Sequence, residues 1–473
     1  MPTTLASELA DFAAELSVDA LPDNVVHAAQ LHSLDTIGCG LAGVAVGAGA
    51  PARAVASEAA GSGHSTVIGE SAGMTPAAAA FANAAACHAL DFDDTHTAGI
   101  VHISAALVPA VLAVGEDVGA SGADVIVALT IGTEIVARLG MWKGLGVRDR
   151  GFHPTSVLGV LGVATAVGRL YGLDHKTAVN AIGIAGSMAS GLLGYVADGS
   201  STKHLNPAWA AMSGITAVRL AVHGATGPDS VVEGRYGVLS SFADAQVGPT
   251  IDLADLGRTW ETTSMAFKPY PASHYMAAPL EAIRRLVAEE DISADVVEEI
   301  VALVPDAGVP IVLEPIEAKR RPVTGAEAKF SLPYSLAAHL VRGSVGISTY
   351  TDDAVTDEEV RKLAAKVRYE VHDYGTFPAS LPGGVRVLTT DGRVLQADVP
   401  HQPGSPTNPM TDAAVVAKFH ANAGLALPKE AVAQLAHTIL ELRAADDLTP
   451  FATLGRARTS ETDQGQRTST KDN

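Results

Sequence analysis

The sequence predicts a mainly α-helical protein with one smaller α+β portion, and three observations carry that expectation. Apolar residues recur at helical spacing through roughly the first 265 positions. Hydrophobic residues make up 47% of the chain and aromatics only 5%, with 46 glycines, so the core must come from Ala, Val, Leu and Ile on closely approaching helices. Alternating β-like runs occur only between about 297 and 399.

The elements follow in order. TTLASELADFAAEL (3–16) is periodic at helical intervals, and this N-terminus has neither the basic start nor the apolar run of a secretory leader. A cytoplasmic protein is therefore expected. SAALVPAVLAVGEDVG (104–119) is a helix whose internal proline either kinks it or marks its first turn. Further helices are expected at about 122–139, 155–171, 174–193 and 207–224, several of them apolar all round and hence buried in a bundle. The longest apolar stretches, such as VLGVLGVATAVG (157–168), are shorter than the ~20 residues that span a bilayer.

Near 266 the texture changes. The proline-punctuated FKPYPASHY (267–275) leads to an amphipathic helix, MAAPLEAIRRLVAEE (276–290). Strand-like runs follow at 297–306, 367–373 and 385–399, the last a hairpin candidate with Asp391-Gly392 at its turn. Helix returns in TDAAVVAKFHANAG (411–424) and PKEAVAQLAHTILEL (428–442), and the polar tail 456–473 is expected to be disordered. The expected division is a discontinuous helical domain, 1–265 plus 401–455, and an α+β domain at 266–400.

The formal net charge of −20 argues against nucleic acid or an anionic membrane as partner, since both require a basic face. An anionic small molecule would need a local cluster of Lys, Arg and His, which screening over about 8 Å makes feasible. Cys39 and Cys87 lie among apolar residues without a CxxC or ligand spacing, and read as small core residues in a reducing compartment.

Five segments carry chemistry. HALDFDDTHTAGIVHISAALVPA (88–110) packs three aspartates and three histidines into 15 residues of an apolar region. Buried charge is costly unless paired or used. If the stretch begins helical, Asp91 and Thr95 share a face. Asp91 is then a candidate proton acceptor or orienter of a histidine, and His102 a general acid/base or carboxylate binder. The plainer alternative is a loop with capping residues. A metal set of His88, Asp91 and His96 lacks a recognised ligand spacing, and no metal is expected. In GFHPTSVLGVLG, His153 precedes a proline at a helix start, where backbone N–H groups favour an anion. In YVADGSSTKHLNPAWAA (195–211), a Gly/Ser turn leads to Lys203 and then to a helix from Pro207, so the lysine either snorkels or meets a carboxylate. Lys268 lies in FKPYP with His274 close behind, and Tyr334 follows a proline just inside a helix in AEAKFSLPYSLAAHLVRG (326–343).

Taken in this order, LDTIGCGLAG (34–43), HALDFDDTH with HISAALVPA, GFHPTSVLGVLG, KHLNPAWAAMSG, GPDSVVEGRYG (227–237), FKPYP, AKFSLPYSLA and SPTNPMT (405–411) resemble the MmgE/PrpD family. That family includes 2-methylcitrate dehydratases, cis-aconitate decarboxylases and iminodisuccinate epimerases. The resemblance implies a large helical domain formed from both ends of the chain, an inserted α+β lid, a homodimer, and a site between the domains without metal or organic cofactor. It places Asp91, Thr95, His102, His153, Lys203, Lys268 and Tyr334 in that site, with Ser273 or His274 after the KPYP motif and His274 preferred on chemistry. Two departures stand out: one extra residue between Thr95 and His102, and Asn206 where many relatives carry His. The implied activity is a lyase, dehydratase or decarboxylase, on a small di- or tricarboxylic acid through an enediolate-like intermediate. The residue types fit such a reaction: Lys203, Lys268 and His153 would bind carboxylates, Asp91 would orient or tune a histidine, His102 would move the proton, and Tyr334 would donate a proton or hydrogen-bond the leaving group. An epimerase of an iminodisuccinate-like acid and a non-catalytic binding protein are the alternatives.

Overall fold

Small residues bring the helices to backbone contact. A Cβ added at Gly43 would meet the Ala86 carbonyl oxygen at 2.3 Å, and one at Gly162 would lie 3.0 Å from that of Gly132. Only glycine permits these two crossings. The computed structural model describes residues 3–455 apart from 60, 244–252 and 378, so the polar tail lies outside the described residues. The helices that build the site are α1 (Asp23–Ala45), α2 (Pro76–His88), α3 (Ser104–Val118), α4 (Gly122–Asp149), α5 (Pro154–Leu170), α6 (Thr202–Val222), α7 (Ala277–Glu290), α8 (Leu332–Arg342) and α9 (Asp412–Ala423). α6 packs on both α2 and α5, and α9 packs on α1 although nearly 370 positions separate their facing ends.

Two apolar cores form. One gathers residues from Leu5 to Phe267 and again from Val415 to Phe451. The other runs from Ala272 to Val399 and is built on a four-stranded sheet. Its strands are β1 (Val297–Val304), β2 (Val367–Val371), β3 (Gly383–Thr389) and β4 (Val394–Val399), ordered β2-β1-β3-β4. β1 and β2 are parallel, and the chain between them supplies the long crossover that a parallel pair requires, including α8. β3 and β4 form the expected hairpin, with Leu388 opposite Val394 and Gly392 at φ +86° in the turn.

Several boundaries differ from the expectation. α4 continues to Asp149 rather than 139, and the helix expected at 174–193 spans His175–Ser187. α6 begins at Thr202 rather than 207 and holds Pro207 inside it. Proline there removes one hydrogen bond, to the Lys203 carbonyl, a local cost that packing of α6 against α2 and α5 outweighs. Pro109 likewise lies inside α3, beyond its first turn. Gly122–Lys143 is in fact long and apolar enough to cross a bilayer, contrary to the sequence reading, but 89% of its most apolar window is buried within the fold. It is a core helix.

Candidate active site

The Asp-rich segment is a loop pinned from all sides. α2 ends at His88, and Asp91 and Ile100 adopt positive φ of 54° and 55°, so Asp91 and Thr95 do not share a helical face. A short polar side chain is among the few that tolerate the left-handed conformation at residue 91. Lys418 of α9 donates to the Phe92 carbonyl at 2.7 Å, pairs with Asp35 of α1 at 2.7 Å and lies 3.9 Å from the Phe92 ring centre. Asp94 accepts from the Ser104 hydroxyl at 2.5 Å and meets His32 Nδ1 at 2.9 Å. Thr95 exchanges backbone hydrogen bonds with Ala266, while Lys329, from the second core, donates to the Ala89 carbonyl at 3.0 Å.

This scaffold presents the Asp91 carboxylate to two lysines. Lys203 Nζ lies 2.6 Å from one oxygen and Lys268 Nζ 2.5 Å from the other, and Lys268 also donates to the Asp91 carbonyl at 3.0 Å. Burial alone would raise the Asp91 pKa, but the two ammonium groups override it and hold the carboxyl well below the usual range. Burial pulls Lys203 down against the opposing pull of Asp91, and it lowers Lys329 to about 8. The Lys203 ammonium also sits 4.8 Å from the Phe330 ring centre.

Among the described residues Asp91 therefore bonds lysines and no histidine, against the expected orienting role, although its charge still raises the His153 pKa. Asp93 fills that role: its carboxylate is 2.8 Å from His88 Nδ1 and 3.5 Å from His102 Nδ1. Burial would raise the Asp93 carboxyl, yet the His88 and His102 rings hold it far below its usual value. His102 and His153 are both pushed well below the ordinary imidazole range, by burial first and then by neighbouring Lys268 for His102 and by His88 and Lys203 for His153. Their tautomers are opposite. His102 donates from Nδ1 to the Asp94 carbonyl at 2.9 Å, leaving a lone pair on Nε2. His153, the N-cap of α5, accepts at Nδ1 from the Asn206 amide at 3.2 Å, which puts its proton on Nε2. The two ring centres are 6.4 Å apart.

These groups border a cavity of about 620 Å³ between the two cores. Asp91, Thr95, His102, His153, Lys203, Lys268, Ser273 and His274 all line it. Ser273 and His274 thus both reach the wall. His274 has no well-formed hydrogen bond on either ring nitrogen among the described residues, and burial lowers it to about 3. Tyr334 does not line the cavity. It is wholly buried in the second core and donates its hydroxyl to the Thr349 carbonyl at 2.8 Å, because the proline before it starts α8 and turns residue 334 inward. His96 also lies apart, bonded to Glu261 at 3.0 Å. The sequence reading named His88 only within a metal set and did not single out Asp93, Lys329 or Lys418. A visible signal existed for His88 and Asp93, which stand i, i+5 in the Asp-rich stretch; Lys418 carried none, being one lysine on an amphipathic helix. His88, Asp93 and His102 bring ligand atoms within 4.8 Å of one another, a set that a metal ion could enlist; here His88 and Asp93 share a hydrogen bond and His102 Nδ1 lies 3.5 Å from the same carboxylate.

A mainly helical scaffold that brings lysines and histidines from distant segments to one cavity defines a protein with a candidate small-molecule site. The chain belongs to the MmgE/PrpD family: residues 7–248 match the MmgE/PrpD N-terminal domain and residues 270–442 the C-terminal domain. It is 27% identical over 468 residues to the cis-aconitate decarboxylase-like protein oryM of Aspergillus oryzae, covering 95% of this chain and 97% of that one. It is 29% identical to the cis-aconitate decarboxylase of Homo sapiens, over 93% of this chain and 92% of the relative. The Aspergillus terreus cis-aconitate decarboxylase is 28% identical, over 95% of each.

Proposed function

We propose that this chain is a lyase that removes CO2 or water from a small di- or tricarboxylic acid of the cis-aconitate kind, without metal or organic cofactor. The observation that carries the proposal is the pair of lysines shared on Asp91 at the wall of a cavity that also holds His102 and His153. The names of the relatives favour decarboxylation. In that reaction a carbon–carboxylate bond breaks, CO2 departs, and the electron pair stays on carbon and spreads into a neighbouring carboxylate as an enediolate. Lys203 and Lys268 stabilise its oxygens, in a water-poor cleft where fixed positive charge acts most strongly. His153, with its proton on Nε2, delivers that proton to carbon, and His102 removes one through its free Nε2 where the double bond must shift. Asp91 keeps the two ammonium groups together before substrate arrives. The segment 266–400 serves as the lid of this site, since cavity walls come from both cores, and the molecule works as a cytoplasmic homodimer.

Incubation of the purified chain with cis-aconitate, 2-methylcitrate and iminodisuccinate in D2O, followed by NMR, tests the reading. A product lighter by CO2 or water is expected. Deuterium uptake without a change of skeleton would make it an epimerase. Thermal stabilisation by these acids without turnover would make it a binding protein.

A pH dependence follows from the buried histidines. Burial and the lysines leave His102 and His153 neutral in the free site. A bound polyanion counters the repulsion of the lysines and so raises the histidine pKa values, and binding is expected to take up protons and to weaken as pH rises through the raised values. Calorimetry in two buffers of different ionisation enthalpy measures this. Proton release on binding would contradict it.

A further inference from the structure

The cavity offers more room, and more apolar wall, than a small tricarboxylate occupies. It measures about 620 Å³. Granting each of roughly a dozen heavy atoms a full water's share of ~30 Å³, such an acid fills little more than half of that space. Part of the cavity wall carries a cluster of titratable groups, where Lys203 and Lys268 pair with Asp91 and the His102 and His153 ring centres lie 6.4 Å apart. Away from them the wall is mostly apolar, interrupted by Arg148, Asp306 and Glu314. Val309, Pro310 and Ile311 come from the second core, Leu193 and Val196 from the chain before α6, and Phe377 from the chain after β2. Neighbouring contacts hold this part together. A Cβ at Gly308 would touch the Tyr275 ring at 3.2 Å, and the Tyr275 ring lies 6.5 Å from that of Phe377. Val196 remains 38% exposed there, an apolar side chain left facing the open cavity.

From this division we infer that the substrate is a polycarboxylic acid bearing an alkyl arm of several carbons. Its carboxylates sit at the lysines and its arm lies along Val196, Val309, Ile311 and Phe377. The inference rests on the polycarboxylate reading of the site and adds to it the class of substituent. Water released from an apolar wall favours such a ligand in proportion to the methylenes buried. A second anionic group in the same place would find mostly hydrocarbon, with Arg148 already paired to Asp149 at 2.9 Å and close to the Tyr275 hydroxyl.

The test uses non-reacting probes on the full chain. Calorimetric titration with succinate, butylsuccinate and octylsuccinate should give affinity rising about tenfold or more from the first to the second. Ile311→Asp should cut the butylsuccinate-to-succinate affinity ratio about tenfold, and Val196→Asp, a change at a partly exposed position on the opposite segment, should do the same if the first variant does not fold. Equal or weaker binding of butylsuccinate, an unchanged ratio in these variants, or no binding of any succinate would overturn the inference. Turnover separates it from the lyase reading. A preference for butylsuccinate with no acid turned over would sink the lyase and leave the alkyl arm standing. Efficient turnover of cis-aconitate with slower turnover of its alkyl-substituted analogue would do the reverse.

Discussion

Lys268→Ala is expected to lower kcat/KM about a thousandfold or more and to lower the melting temperature by several degrees, whereas Lys203→Ala is expected to cost as much turnover with a smaller loss of stability. Both lysines face the position proposed for the enediolate oxygens, and removing one such preorganised donor typically costs 10²–10³-fold. Their structural duties differ. Lys268 is 1% exposed, pairs with the Asp91 carboxylate and bonds the Asp91 carbonyl, in a loop whose backbone is already at positive φ. Its loss leaves a buried carboxylate with half its neutralisation, a penalty on the order of 3 kcal/mol. Lys203 is more open, at 14%, and stands on the first turn of α6, where its ammonium bonds no backbone carbonyl among the described residues. Steady-state kinetics beside a thermal melt checks both variants. Near-normal turnover in either would remove that lysine from the site, and equal melting temperatures would remove the structural distinction between them.

The second large effect concerns the opposed histidines. His102→Gln and His153→Gln are each expected to lower kcat by 10²–10⁴-fold, the usual range for a positioned acid or base. Asn206→Asp tests the tautomer itself. A carboxylate in place of the amide accepts from Nδ1 instead of donating to it, which moves the His153 proton off Nε2 and turns a donor into an acceptor. Turnover should fall by about two orders of magnitude, as expected for a lost acid. The added anion should also raise the His153 pKa, so the residual activity should shift its pH profile upward. An unchanged profile would show that Asn206 does not set the state of His153.

Much of the scaffold was legible from spacing. Helical periodicity located the bundle, and a sheet hairpin was visible in alternating residues around Asp391-Gly392 because strand and turn chemistry is local. Boundaries were less so. α6 starts five residues before its proline, since what decides whether Pro207 is tolerated is the packing of that helix on α2 and α5, not the local backbone preference. Among candidate site residues, the polar segments named those that line the cavity. Their pairings were not legible: Asp91 serves lysines while Asp93 serves histidines, and a two-residue step along a loop at positive φ reverses which carboxylate faces which partner. Tyr334 shows the same limit, because the register of α8 turns it into the second core.

The amino-acid sequence by itself determined that this chain forms a mainly helical protein of the MmgE/PrpD family, and which charged segments stand out from an apolar background. Those properties depend on residue type and short-range spacing. Only the tertiary structure decided that Lys418 and Asp35, 383 positions apart by number, lock the Asp-rich loop, and that Asn206 and Asp94 give two neutral histidines opposite tautomers. Hydrogen-bond partners and local dielectric are set by contacts between distant segments, and no spacing along the chain encodes them.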